Sequence, residues 1–220
     1  GATPPRFRLS GSAFAGLAPF VALSNHFDPV GFVRAVKRAR AETPSNLPLY
    51  CSLVSAQLER LLNEVAGTGA LPLDAILVGG GFVEESLLRR AREAGLRVVT
   101  TYGMTETGGG CVYDGMPLAG VSVAEGTGGR LLISGSTLME GYLDEESPLV
   151  IKDGETWFRT SDVGHVSADG RVHLSGRSDD LIKSGGLKVN LSEVTRAAIT
   201  TPGVSRAHTF GLPDPTWGTV

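Results

Sequence analysis

Cysteine, net charge and long apolar runs are all scarce in this chain of 220 residues. Its 2 cysteines are too few for a disulfide scaffold or a zinc site built from cysteines alone, which favours a reducing, cytoplasmic setting. The net charge of −3 offers no basic excess for binding nucleic acid. No apolar run approaches the ~18 residues of a membrane span. We therefore expect neither a nucleic-acid partner nor a membrane span.

Two glycine patterns are also missing, although glycine itself is abundant. The 30 glycines follow no Gly-X-Y period, which excludes collagen. No glycine loop ends in the Lys-Ser/Thr pair of the common phosphate-binding loop. Glycine usage is about twice the ordinary level, which is typical of backbones with positive φ or of close approach to a ligand.

The first half of the chain predicts a parallel α/β unit. Asp28 and Pro29 predict the start of an amphipathic helix, and leucine spacing predicts another over 53–66, closed by Gly67. Buried strands are predicted over 74–79 and 96–101, with a Gly79–Gly81 turn and a helix over 83–94 between them. This is the unit of a parallel sheet with a ligand at the carboxyl ends of its strands.

The second half predicts a β-rich layer. Short strands are expected around 130–134, 149–151, 156–160, 163–167 and 171–175, separated by turn residues. A helix is expected over Glu193–Thr200 with Ser192 as its cap, followed by a strand over 205–210. Residues 1–27 have no clear period, and residues 1–30 are poorly placed.

The segment TYGMTETGGG, residues 101–110, follows a predicted buried strand and carries three chemically useful side chains. Tyr102 offers a ring for stacking, Thr105 a hydroxyl, and Glu106 a carboxylate that can hold Mg²⁺. The alternative interpretation is a turn with a helix cap at Thr105.

Two later segments suit a nucleotide. Asp162, in FRTSD, ends a predicted strand and could grip the two hydroxyls of a ribose, although an Asx-turn is the alternative. Arg177 in GRSDDLIKSGGLKVNLSE stands with two lysines beside glycines, which suits phosphates, although a solvated linker is the alternative.

Two histidines and one cysteine have simpler interpretations than a role in the chemistry. His165 and His173 face each other across a predicted hairpin; a metal pair is one option, but no third ligand has suitable spacing, so two surface histidines are favoured. Cys111 is expected to be a small buried thiol.

YGMTE, FRTSD and GRSDDLIKSGGLKVNLSE occur here in this order, with a GGG turn before them and GLPDPTWG after them. Together they resemble the ANL adenylating family of acyl-CoA synthetases, luciferases and peptide-synthetase adenylation domains, over about residues 74–220. The resemblance implies an α/β fold: part of a large N-terminal adenylating domain, with a parallel sheet, helices and a β-rich layer. A hinge would join residues 1–178 to the start of a small mobile α+β C-terminal domain, 179–220.

The same resemblance implies roles for individual residues. Thr105, Glu106 and Arg177 would be catalytic, with Glu106 holding the metal. The implied sites are, for the nucleotide, Gly80, Gly81, Tyr102, Gly103, Thr105, Asp162 and Arg177; for the acyl group, Gly108, Gly109 and Gly110; for the hinge, Asp179; and for the pantetheine tunnel of CoA, Ser184, Gly185 and Gly186.

The compact Gly-rich stretch after Glu106 is similar to o-succinylbenzoate–CoA ligases of menaquinone synthesis. The implied activity joins a carboxylic acid to CoA through an acyl-AMP intermediate, with ATP and Mg²⁺. The family's Pro-Lys phosphate loop and C-terminal catalytic lysine are missing, so we expect a piece of an enzyme or a sequence with segments removed. Another acyl- or aryl-CoA ligase and a truncated, non-catalytic nucleotide-binding fragment remain alternatives, and a homodimer is left open.

Overall fold

The computed structural model describes residues 26–65, 71–143, 148–204 and 207–220. The chain divides into two compact units, Gly1–Gly115 and Met116–Val220. Most of the poorly placed stretch 1–30, the cap at Gly67 and part of the strand expected over 205–210 lie outside the described residues. No helix among the residues described combines the length and apolar character that crossing a bilayer requires.

The first unit is a parallel α/β arrangement with one antiparallel strand. Its strands stand in the order β1-β2-β3-β4, with β1, β2 and β3 parallel and β4 antiparallel to β3. Its elements are β1 Tyr50–Leu53, β2 Ala75–Val78, β3 Val98–Met104, β4 Gly109–Tyr113, α1 Pro29–Glu42, α2 Ser55–Val65 and α3 Glu85–Glu93.

Local chemistry explains where α1 begins. Asp28 accepts hydrogen bonds from the backbone N–H of Val30 at 3.1 Å and of Gly31 at 3.0 Å. These bonds satisfy two N–H groups that have no partner within the helix, and Pro29 occupies the first position, where its missing N–H costs nothing. The predicted cap is confirmed.

The core of this unit lies between the sheet and its helices. Leu58 and Leu61 from α2 and Val78 from β2 are fully buried, and Leu87, Leu88 and Ala91 from α3 join the same cluster. The repeat of apolar residues that predicted α2 is thus the face that packs against the sheet. The core fixes β2 and β3, from whose carboxyl ends the glycine-rich segments emerge.

The second unit is β-rich, as expected. One sheet has the antiparallel order β10-β9-β7-β6 with β8 paired to β9, and another has the order β12-β11-β14-β13. The elements are β5 Met116–Pro117, β6 Val121–Glu125, β7 Arg130–Gly135, β8 Leu149–Lys152, β9 Glu155–Val166, β10 Val172–Arg177, β11 Leu181–Ser184, β12 Leu187–Asn190, α4 Leu191–Ile199, β13 Pro213–Asp214 and β14 Gly218–Thr219.

Several details differ from the sequence prediction. The strands expected at 156–160 and 163–167 are one strand, β9, and residues 207–210 form no strand. The helix expected from Glu193 begins at Leu191, so Ser192 lies inside it. Asn190 is the capping residue instead, because its side-chain oxygen accepts the Ser192 N–H at 2.9 Å. The boundary between residues 178 and 179 stays a prediction.

Candidate nucleotide and acyl site

Strand β3 runs three residues beyond its predicted end, to Met104, so Tyr102 lies within the strand. Tyr102 pairs with Val112 of β4, and the register shifts between Tyr102 and Gly103. The tyrosine is half-buried. A shift of this kind redirects the side chains that follow it, which places the Thr105–Thr107 turn at the end of the strand.

The turn after β3 is a single 3₁₀ turn, Thr105–Thr107, held by a residue that the sequence analysis did not single out. The buried Thr107 hydroxyl accepts the Met104 N–H at 3.0 Å and donates to the Gly109 carbonyl at 2.7 Å. Thr105 is exposed and Glu106 is half-buried. The turn therefore exposes the Thr105 side chain. The side chain that caps the turn is that of Thr107, whereas the alternative interpretation gave this role to Thr105. A Ser/Thr two residues after a predicted turn start is the signal that could have found it.

Gly103 is required by the chain's own backbone. A Cβ built on Gly103 would lie 2.0 Å from the Gly109 carbonyl oxygen and 2.7 Å from Gly110 Cα. Gly81, by contrast, has nothing within 4 Å of such a Cβ, and Gly80 has φ +78°. The group that approaches Gly103 closely is therefore the backbone of β4, and not only a predicted ligand. The space beside Gly81 is empty of other atoms of the described residues.

The three glycines of the predicted acyl site follow the turn directly. Gly108 ends the 3₁₀ turn with φ 67°, and Gly109, with φ 123°, and Gly110 begin β4. All three glycines are exposed. The neighbouring Cys111 is fully buried, as expected for a small core thiol. Burial raises the pKa of this thiol, and a hydrogen bond with Thr107 opposes the rise. Cys111 is consequently a packing residue within β4 and a poor nucleophile.

In the second unit, Asp162, Arg177 and Asp179 form a charged cluster. Asp162 and Arg177 are register partners on β9 and β10, and Arg177 reaches Asp162 at 3.4 Å and Asp179 at 2.8 Å. Only 14% of the Asp162 side chain is exposed, against 54% for Arg177. The hydrogen bond from Arg177 lowers the pKa of the Asp179 carboxyl, which therefore stays charged to a lower pH than an ordinary aspartate.

A buried hydroxyl sets the backbone at Asp162. Thr160 is 1% exposed; its hydroxyl donates to the Leu131 carbonyl at 2.9 Å and accepts the Asp162 N–H at 3.0 Å. Thr160 is not identifiable from the sequence, because a threonine in a predicted strand has no distinctive pattern. The bond holds Asp162 where β9 shifts register against β7.

The predicted hinge lies in the 3₁₀ turn Ser178–Asp180, between β10 and β11. Asp179 bonds back to Arg177 of β10 at 2.8 Å, whereas Asp180 accepts a bond from Ser192 of α4 at 2.5 Å. Adjacent carboxylates are therefore bonded to different elements. The hinge role of Asp179 stays a prediction.

The predicted tunnel residues form a tight hairpin turn. Ser184 and Leu187 are register partners, so Gly185 and Gly186, with φ of 55° and 83°, are the two loop residues. Positive φ at both central positions is the geometry that two-residue hairpins favour. The Gly185 N–H donates to the Trp217 carbonyl at 2.9 Å, and a Cβ on Gly185 would come within 2.6 Å of the Trp217 ring.

Comparison with known proteins places the chain in a family. No protein-family model matches it. It is 41% identical over 207 residues to a probable 2-succinylbenzoate–CoA ligase of Mycobacterium tuberculosis, covering 92% of this chain and 52% of that protein. It is 30% identical to 2-succinylbenzoate–CoA ligase of Bacillus licheniformis, covering 98% and 49%, and 32% identical to feruloyl-CoA synthase of an Amycolatopsis species, covering 91% and 44%.

Solved structures agree with these relatives. The o-succinylbenzoate–CoA synthetase of Bacillus subtilis, in complex with its acyl-adenylate intermediate, superposes with a TM-score of 0.81 at 26% identity, covering 97% of this chain and 46% of that one. The same enzyme in complex with ATP and magnesium superposes with a TM-score of 0.80. The chain belongs to the ANL adenylating superfamily.

Within this superfamily the chain spans about half the length of the curated relatives it matches. The α/β fold expected of an ANL adenylating domain is confirmed in the part described. The described residues contain no group of three or more His, Cys, Asp or Glu side chains that could hold a metal. A single carboxylate at Glu106 still fits Mg²⁺, because that ion usually keeps several waters and binds through one or two carboxylates plus substrate phosphates.

Proposed function

We propose that this chain is part of an ATP-dependent carboxylic acid–CoA ligase that acts through an acyl-AMP intermediate, with 2-succinylbenzoate as its acid. The observation that carries the proposal is the similarity, at 41% identity over 92% of the chain, to a probable 2-succinylbenzoate–CoA ligase. The exposed Thr105 hydroxyl and half-buried Glu106 at the end of β3 support it, because they leave a donor and a carboxylate beside each other at a strand end.

The first half-reaction joins the acid's carboxylate to the α-phosphate of ATP and releases pyrophosphate. Thr105 would donate to a phosphate oxygen, and Glu106 would hold Mg²⁺, which supplies charge neutralisation when bound. Tyr102 would stack on the adenine, and Gly80 and Gly81 would form the turn beside it. Catalysis of this kind is mainly positioning and charge stabilisation, which the rigid end of β3 suits.

Asp162 and Arg177 would bind the ribose of the nucleotide. The carboxylate of Asp162 is largely buried yet keeps 14% exposure, so two ribose hydroxyls could reach it. Arg177, half-exposed beside it, could donate to ribose and phosphate oxygens. Thr160 would act indirectly, by fixing the backbone at Asp162.

The second half-reaction forms the thioester, as the CoA thiol displaces AMP. The 3₁₀ turn at Asp179 would let the small C-terminal domain change its face, and the Ser184–Gly186 turn would line the path of pantetheine. The cytoplasmic location, the homodimer and the boundary at residue 178 stay predictions.

A pyrophosphate-exchange assay on the complete protein tests the proposal. Labelled pyrophosphate should enter ATP only when 2-succinylbenzoate is present, and CoA should then yield the thioester. If ATP binds but no acid in a panel of succinylbenzoate, aryl and fatty acids supports exchange, the non-catalytic nucleotide-binding alternative is correct.

A second candidate differs only in the acid. The 32% identity to a feruloyl-CoA synthase, over 91% of the chain, favours an aryl acid such as ferulate as the alternative substrate. The same assay separates the two, because ferulate would then support the faster exchange.

A further inference from the structure

Two histidines outside the proposed site are held side by side on the β9–β10 hairpin. His165 and His173 are direct register partners on the two antiparallel strands. Their rings stack with centroids 4.6 Å apart and planes 9° from parallel, and both side chains are exposed. The ligase chemistry proposed above uses neither of them.

A short hydrogen-bond chain fixes which nitrogen of His173 carries a proton. Ser167 Oγ lies 2.5 Å from Asp169 Oδ1 and 3.2 Å from His173 Nε2. The hydrogen bond from Ser167 lowers the pKa of the Asp169 carboxyl, so this carboxylate is charged at neutral pH and only accepts.

The single Ser167 proton therefore goes to Asp169. Ser167 Oγ also lies 3.1 Å from the Arg171 carbonyl, but the shorter contact, to a charged oxygen, takes the proton. The contact with His173 must then be donated by the ring's Nε2–H. That assignment, made from the hydrogen-bond network, leaves the Nδ1 lone pair of His173 available.

This is the outer-shell arrangement that orients a metal-binding histidine, whose second ring N–H is usually donated to a fixed acceptor. We propose that His165 and His173 form a two-histidine site for a borderline divalent ion such as Zn²⁺, Ni²⁺ or Cu²⁺, with water completing the coordination. Imidazole nitrogen suits these ions, whereas Mg²⁺ prefers oxygen.

The distances and charges permit such a site. Two nitrogens about 2.0–2.1 Å from a tetrahedral ion lie about 3.3 Å apart. The rings, with centroids 4.6 Å apart, reach that separation when the exposed His165 side chain rotates, while His173 keeps its bond to Ser167. The nearby Arg171 is paired with Asp169 at 3.2 Å, so its positive charge is balanced beside the site.

Calorimetric titration of Ni²⁺ into the complete protein, with excess Mg²⁺ occupying oxygen sites, tests the proposal. His165→Asn and His173→Asn should each lower the affinity at least tenfold. His208→Asn, which alters an exposed histidine elsewhere in the second unit, is the matched control and should stay within twofold. All three changes are at exposed side chains, and circular dichroism would verify that each variant folds.

A second readout identifies the ligands directly. The electron paramagnetic resonance spectrum of bound Cu²⁺ should show two coordinating nitrogens in the unaltered protein and one in His173→Asn. Equal Ni²⁺ affinity in the unaltered protein, His165→Asn and His173→Asn would overturn the proposal, as would the absence of saturable binding to the unaltered protein.

Discussion

At the scale of single residues, a buried hydroxyl positions a proposed substrate contact. Thr160 links Leu131 of β7 to the backbone at Asp162. Thr160→Val keeps the side-chain shape but leaves a buried carbonyl and N–H unsatisfied, so the free energy of unfolding should fall by about 1–3 kcal/mol. Urea denaturation of the complete protein measures it. Thr156→Val, at an exposed position of the same strand, should change it by no more than about 0.5 kcal/mol.

Two glycines that resemble nucleotide contacts should respond differently to alanine. In Gly103→Ala the added methyl would overlap the backbone of β4, so the free energy of unfolding should drop by about 1–3 kcal/mol or more. Gly81→Ala meets no atom within 4 Å and should leave stability nearly unchanged. If Gly81→Ala nevertheless raises the KM for ATP, the open space above Gly81 belongs to the nucleotide. Equal melting temperatures for the two variants would contradict the structural role of Gly103.

The ribose contact proposed for Asp162 gives a kinetic prediction. Asp162→Ala removes two charge-assisted hydrogen bonds, each worth about 1.5–3 kcal/mol, so the KM for ATP in pyrophosphate exchange should rise at least ~10-fold. Arg177 keeps its bond to Asp179 at 2.8 Å, so the cluster is not dismantled. Glu155→Gln, an exposed acid on the same strand, is the control. An unchanged exchange rate in Asp162→Ala would refute the ribose role.

At the scale of elements, the sequence predicted what apolar periodicity and turn residues determine. Helices α1, α2 and α3 and strands β2 and β3 were found because their buried faces repeat regularly. Strand β4 was missed because it starts with two glycines, which weaken a strand pattern and here allow the close approach to Gly103. For β11 and β12 the sequence favours a loop, because Gly185 and Gly186 are typical of turns.

The hinge prediction also belongs to this scale. Asp179→Pro fixes φ in the turn between β10 and β11, so rotation there should stop. Pyrophosphate exchange should persist while thioester formation falls at least ~10-fold, which single-turnover assays of each half-reaction would separate. Asp179→Ala loses the same carboxylate but keeps backbone freedom, so it should retain thioester formation. Equal loss of both half-reactions in Asp179→Pro would count against a hinge.

At the scale of the whole molecule, motif order was more informative than composition. YGMTE, FRTSD and GRSDDLIKSGG identified the family, yet they could not show which side chains are held by neighbours. Thr107 stabilises the turn after β3 by a hydrogen bond to the Gly109 carbonyl. Thr160 bonds to the Leu131 carbonyl, which is distant in sequence. The Thr160 contact depends on which residues of β7 and β9 pair, which the three motifs do not specify.

The choice of acid is the remaining whole-molecule property, and its chemistry makes it testable. 2-Succinylbenzoate carries two carboxylates, of which one reacts and the other must be recognised. A site built to bind a polar group discriminates against an analogue lacking it by about 10⁴-fold, whereas an apolar pocket does so only weakly. The complete protein should therefore use 2-succinylbenzoate with a kcat/KM at least ~100-fold above that for 4-oxo-4-phenylbutanoate, which lacks the ring carboxylate. Steady-state assays with saturating ATP and CoA measure the ratio. A ratio near one would mean that the second carboxylate is not recognised, and the ligase would then be one for aryl or fatty acids.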